Sequence, residues 1–136
     1  MLQETHTNLD DESKWKQQWG GPCFFSYGTD NSRGCCILIR NNIDFKPCSI
    51  KSDRNGRYII TQCTIDDDPF ILGNIYTPNA ESDQLTFYDS LKKAMLGMGV
   101  TSLEEIIIGG DWNVIRDIQL DKQGGTQNAN INQSIA

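Results

Sequence analysis

Glu104-Glu105-Ile106-Ile107-Ile108-Gly109-Gly110-Asp111-Trp112-Asn113 is the stretch that decides the fold. Three consecutive isoleucines predict a buried strand, since β-branched side chains suit a pleated surface covered on its faces. The two glycines let backbone or substrate approach closely. Asp111 is then delivered just past the C-terminal end of the strand, and Asn113 adds an amide able to donate to a phosphate oxygen. The competing reading is a strand-end carboxylate that faces only water.

Upstream of this strand the hydrophobic period is helical. From about Ser82, the residues Leu85, Tyr88, Leu91, Met95 and Met98 recur at three- and four-residue steps, one apolar stripe that frays at Gly97 and Gly99. Before the helix lie extended segments with tight turns. Phe70 to Tyr76 and Arg57 to Ile65 have strand composition, and Phe45 to Ile50 has it more weakly. Asp53-Arg54-Asn55-Gly56 and Asp66-Asp67-Asp68-Pro69 are the turns between them. Three such segments predict an antiparallel meander.

Cys35 to Ile39 is almost continuously apolar, and on a strand Cys35 and Cys36 point to opposite faces. Cys23 to Tyr27 is a further strand, separated from it by the loop Gly28 to Gly34. Trp15 and Trp19, four apart in a polar stretch, predict a short helix with both indoles on one face, stopped by Gly20-Gly21-Pro22. Met1-Leu2-Gln3 has the character of the end of a strand. Strands, one crossover helix and another strand predict a layered α/β sandwich more readily than a doubly wound sheet. Past Leu120 the chain turns polar.

The 136 residues allow one ordinary domain, and 12 Lys+Arg against 18 Asp+Glu give a formal charge of −6. That balance counts mildly against a dedicated nucleic-acid binder, whose affinity leans on phosphate contacts. It counts less against an enzyme whose carboxylates gather a cation. The five cysteines (Cys23, Cys35, Cys36, Cys48 and Cys63) lack the spacing of a zinc knuckle and predict buried free thiols in a reducing compartment. No secretion signal or apolar run of membrane length is present. An intracellular, soluble protein is expected.

Several polar residues stand at strand ends. Glu4 follows Met1-Leu2-Gln3 and offers a hard oxygen ligand of the kind magnesium takes. Tyr76 closes its strand with a phenol that can orient a phosphate, and Asn79 follows with an amide. Ser32-Arg33-Gly34 puts a guanidinium at a loop-to-strand boundary, where it could meet phosphate. His6, the single histidine, is weak evidence for general-base chemistry. Asp66 to Asp68 lacks the spacing of a calcium loop. Packing or solvation is the bland alternative for each of these.

Taken in order, Leu2-Gln3-Glu4-Thr5-His6, Ser32-Arg33-Gly34, Asn74-Ile75-Tyr76-Thr77-Pro78-Asn79 and Ile108-Gly109-Gly110-Asp111-Trp112-Asn113 resemble the endonuclease/exonuclease/phosphatase superfamily. More narrowly they are similar to the apurinic-type endonuclease domain at the front of non-LTR (LINE-type) retrotransposon polyproteins, as are Arg57-Tyr58-Ile59-Ile60 and Leu120-Asp121-Lys122. The resemblance implies a four-layered α/β sandwich over residues 1–125, with 126–136 a poorly ordered polar tail. It implies a Mg²⁺-dependent endonuclease, with Mn²⁺ a substitute, that nicks target DNA by phosphodiester hydrolysis for retrotransposition. Glu4 would be the metal ligand, and Asp111 would orient or deprotonate the attacking water. Asn113 would hold the scissile phosphate, Tyr76 would contact it, and Asn79 and Arg33 would support the site.

The chain also departs from that family. Members open with an extra strand that brings an asparagine into the site, and they close with a Ser-Asp-His strand that this chain does not contain. Trp112 stands where phenylalanine is common. The expectation is therefore a partial sandwich, without its first strand and C-terminal strands, inactive in isolation. DNA is the expected partner, and a reverse transcriptase segment is expected to follow in the parent protein, with neither a membrane nor an obligate protein partner. The expected location is the nucleus for a working retrotransposon product and the cytoplasm otherwise. Two other readings stand beside this one: another phosphoesterase of the superfamily, of inositol phosphatase or sphingomyelinase type, and a non-catalytic binding module that keeps the fold.

Overall fold

A computed structural model describes residues 1–100 and 105–114. The Leu120-Asp121-Lys122 match and the polar tail expected over 126–136 lie outside the described residues. The elements run β1 (Leu2–Gln3), a 3-10 turn (Leu9–Asp11), α1 (Glu12–Trp19), β2 (Cys23–Ser26), β3 (Cys35–Leu38), β4 (Phe45–Ser52), β5 (Tyr58–Ile65), β6 (Asp68–Tyr76), α2 (Glu81–Gly97) and β7 (Ile106–Asp111). They form two sheets, ordered β1-β3-β2 and β4-β5-β6-β7. The small sheet is antiparallel throughout. In the large one β4, β5 and β6 form the expected meander, and β7 returns through α2 to lie parallel to β6.

Alternation along the strands builds the layers. Cys35, Ile37, Ile59, Cys63, Leu72 and Tyr76 face one another between the two sheets. The intervening residues of β5 and β6 (Tyr58, Ile60, Ile71 and Ile75) turn the other way and bury Phe87, Leu91 and Ala94 of α2. On the far side of the small sheet, Cys23, Phe25 and Cys36 pack with Trp15 of α1. Cys35 and Cys36 thus serve different cores. Helix, sheet, sheet, helix makes a mixed α/β structure of four layers. Among the described residues no helix is long and apolar enough to cross a membrane.

Three local expectations differ from the structure. The turn before β6 is only two residues, Asp66 and Asp67, both at positive φ (52° and 67°), with Ile65 paired to Asp68 and Thr64 to Pro69. A two-residue loop of this hand matches strand twist and tolerates aspartate. Pro69 fits inside the strand because Thr64–Pro69 is the second pair from the turn, a non-hydrogen-bonded one, so its nitrogen points away from β5. On the other side β7 begins pairing only at Ile71. Of the expected α2 stripe, Leu91 is buried and Tyr88, Met95 and Met98 pack against the same core, whereas Leu85 is 65% exposed; Gln84, Phe87 and Ala94 complete the buried face. β7 is covered on one face only, leaving Ile107 51% exposed, and Asp111 is its last residue rather than the first beyond it.

Candidate active site

Asn74 organises the site, although its place in the motif gave it no separate role. It sits on the inner face of β6 between Leu72 and Tyr76 and is fully buried. Its Nδ2 donates to the carbonyls of Leu2 (2.7 Å) and Cys36 (2.9 Å), and its Oδ1 accepts from the Gln3 side chain. A buried amide needs such partners, and these bind β1 and β3 to the large sheet. The signal available in the sequence was an amide at an inward position of an otherwise apolar strand.

Glu4 emerges directly from the clamped β1. Its Oε1 accepts a short hydrogen bond from the Tyr76 hydroxyl. The Arg57 guanidinium lies over the Tyr76 ring, 4.7 Å from its centroid, and Nη1 donates to the Tyr76 carbonyl at 3.4 Å. The Tyr76 phenol is pushed above its ordinary pKa, chiefly because its proton is held by Glu4 and further because it is partly buried. Parallel pairing places Tyr76 in register with Asp111, and the Thr77 N–H donates to the Asp111 carbonyl at 2.9 Å. Glu4, Tyr76 and Asp111 therefore converge at the C-terminal ends of β6 and β7.

Gly110 permits this approach. At φ 145°, a Cβ there would stand 2.0 Å from the Ile75 carbonyl oxygen. Beyond it, the Asn113 N–H donates to Asp111 Oδ1 (3.0 Å), and Asn113 Nδ2 donates to the Thr77 carbonyl (2.7 Å). Gln84 reaches from α2 to the carbonyls of Pro78 (3.0 Å) and Asn113 (3.1 Å), which explains a polar residue on its buried face. Asn113 is thus brought beside Asp111 with one amide proton already committed. Asn79 is exposed in the loop after β6 and makes no hydrogen bond to the described residues.

Among the described residues six other than glycine have positive φ, and apart from the hairpin pair Asp66 and Asp67 they are Glu4, His6, Arg33 and Asn113. Such backbone conformations persist only where their surroundings hold them, and they gather at functional sites. Here the Thr5 and His6 N–H groups donate to the carbonyls of Gly34 (3.2 Å) and Arg33 (2.9 Å). His6 is exposed and stands on this loop. The hydroxyls of Thr5 and Thr77, which neighbour Glu4 and Tyr76, are buried with no hydrogen-bond partner among the described residues.

Among the described residues no group of three or more His, Cys, Asp or Glu side chains could hold a metal. Magnesium does not need such a cage, since it is usually bound by one or two carboxylates and keeps several waters. Glu4, with one oxygen committed to Tyr76, and Asp111 fit that habit.

No family model matches the chain. A Xenopus laevis protein described as "Transposon TX1 uncharacterized 149 kDa protein" is 30% identical over 139 residues, which is 100% of this chain and 10% of that protein. Humanized TDP2 from D. rerio superposes with a TM-score of 0.55 at 16% identity, over 87% of this chain and 49% of that one. The endonuclease domain of TRAS1, a telomere-specific non-LTR retrotransposon, superposes with a TM-score of 0.50 at 14% identity, over 71% of this chain and 42% of that one. The chain thus spans about a tenth of the curated relative and less than half of each solved structure. At these identities the likeness shows the fold alone: part of an α/β sandwich of the endonuclease/exonuclease/phosphatase type, shared with these two solved structures.

Proposed function

We propose that this chain carries part of the active site of a magnesium-dependent DNA endonuclease that nicks target DNA for retrotransposition. One observation carries the reading: the Glu4 carboxylate accepts from the Tyr76 hydroxyl, and Tyr76 is the backbone neighbour of Asp111 where β6 and β7 end. The fold likeness to a retrotransposon endonuclease domain and the identity to a transposon protein support the choice of substrate.

Glu4 would hold the cation, with Asp111 beside it. When bound, Mg²⁺ stabilises charge on the phosphate oxygens and on the departing oxygen. Asp111 orients the attacking water and takes its proton. The remaining amide proton of Asn113 holds a phosphate oxygen, and the Tyr76 phenol, fixed between Glu4 and Arg57, lies against the same group. His6 is the single histidine of the chain, and its side chain makes no hydrogen bond or ion pair to the described residues. With no histidine bonded to these residues, little turnover is expected of this chain alone.

Metal binding separates the site from its turnover. Mn²⁺ followed by electron paramagnetic resonance is expected to bind the chain and to be displaced by Mg²⁺. Glu4→Gln should abolish that binding, and Asp111→Asn should weaken it about tenfold. Nicking of supercoiled plasmid in Mg²⁺ should stay close to the EDTA control. Mn²⁺ binding that ignores Glu4→Gln would overturn the assignment, and robust plasmid nicking would refute the inactivity of the chain alone.

A further inference from the structure

Beside Tyr76 lies a pocket of about 360 Å³, walled by the β4–β5 turn, the loop before β3 and the first turns of α2. Two arginines line it, Arg33 and Arg57. They are brought there by one backbone contact, the Gly34 N–H donating to the Gly56 carbonyl at 3.0 Å, between the residue after Arg33 and the residue before Arg57. Gly56, at φ 68°, allows it: a Cβ there would stand 2.7 Å from the Gly34 nitrogen.

Both arginines are half-buried, yet neither has a carboxylate within ion-pair distance among the described residues. The ion pairs there belong to Lys14, Lys16 and Lys46, at exposed or half-exposed positions elsewhere. Two carboxylates do border the pocket, and neither neutralises an arginine. Asp53 is spent inside its own turn, accepting from Ser26 Oγ (2.9 Å) and from the N–H groups of Asn55 (3.2 Å), Arg57 (2.7 Å) and Tyr58 (3.0 Å). Asp83 is exposed at the start of α2, beside Ser82. The floor is aromatic, with Tyr58 and Phe87 edge to face at 6.3 Å.

We propose that this pocket is a subsite for a nucleic-acid strand, in which Arg33 and Arg57 hold the phosphate next to the one attacked. A partly desolvated guanidinium without a carboxylate gains most from an anion that it can meet with paired N–H donors. Arg57 also lies on the Tyr76 ring, so a phosphate held there is adjacent to the Glu4–Tyr76 pair. The aromatic floor offers a sugar or base a surface that a bare phosphate would not use. That the neighbouring phosphate is the one attacked rests on the endonuclease reading above; that a strand binds here does not.

The test is fluorescence anisotropy of a short fluorescein-labelled single strand titrated with the chain in EDTA, at several salt concentrations. Arg33→Gln and Arg57→Gln are each expected to weaken binding about tenfold and to lower the salt slope by about one. Lys46→Gln removes the same charge at the opposite end of the large sheet and should change neither quantity. Arg33 makes no side-chain hydrogen bond to the described residues, so its replacement tests the pocket without disturbing Tyr76. Arginine variants that bind like Lys46→Gln, or a chain that binds no strand, would overturn the proposal. So would binding to phosphoinositide vesicles in place of the strand. Mn²⁺ binding that survives Arg33→Gln while strand binding falls separates this subsite from the metal site.

Discussion

At the scale of single residues, the phenols report the site. Tyr76 is raised because its proton is held by Glu4, and Tyr27 is raised to about 12 by burial and by its bond to Glu12. In both cases the folded state keeps a proton that the unfolded chain releases near the ordinary tyrosine value of 10.0. Each contribution is therefore complete below pH 10, and it is lost as the pH rises through the folded pKa, near 12 for Tyr27. Glu4→Ala is expected to bring the ionisation of one tyrosine ring down in a ring-carbon NMR titration and to leave Tyr27 in place. A titration of Tyr76 indifferent to Glu4 would show that the two groups are not bonded in solution.

At the scale of elements, β1 is only two residues long and cannot hold itself. Two ladder pairs with β3 and the Asn74 clamp keep it in the small sheet. Asn74→Leu keeps the number and branching of side-chain heavy atoms but removes the partner of the Leu2 and Cys36 carbonyls and of the Gln3 amide. The expected loss is roughly 3 kcal/mol, from about 1–3 kcal/mol for each stranded polar group. A melting temperature roughly 10 °C lower follows for a domain of this size. An unchanged melting temperature would mean that β1 is secured by something other than the clamp. The helix α2 shows how far periodicity reads. Its length and amphipathic character were legible, and Tyr88, Leu91, Met95 and Met98 of the expected stripe pack inward, but Leu85 does not, and Gln84, Phe87 and Ala94 do. Gln84 settles the phase because it closes the loops of Pro78 and Asn113, a contact that no hydropathy pattern contains.

At the scale of the whole molecule, protection should follow the layering. β5 is paired on both edges and packed on both faces, whereas seven of the eight β4 residues are exposed. Native-state hydrogen exchange is expected to be slowest in β5 and β6 and fastest in β1 and along β4. Equal rates throughout would show that the two sheets open as one unit. The charge of −6 is compatible with a strand-binding face because the arginines that matter are local and unneutralised. A net count averages over surfaces that never meet the ligand.

The sequence by itself determined what depends on neighbours along the chain. It carried the meander, the crossover helix, the opposite facing of Cys35 and Cys36, a turn between β5 and β6 and a carboxylate at the end of β7. Each follows from backbone preference or from a period of two or three to four residues. Only the tertiary structure decided which strand ends meet. Glu4 and Tyr76 are 72 positions apart, as are Asn74 and the Leu2 carbonyl, and Arg33 and Arg57 come to one pocket where Gly34 and Gly56 bond. Such pairs are set by how sheets stack and where loops cross, which is a property of packing in three dimensions and leaves no local period to read.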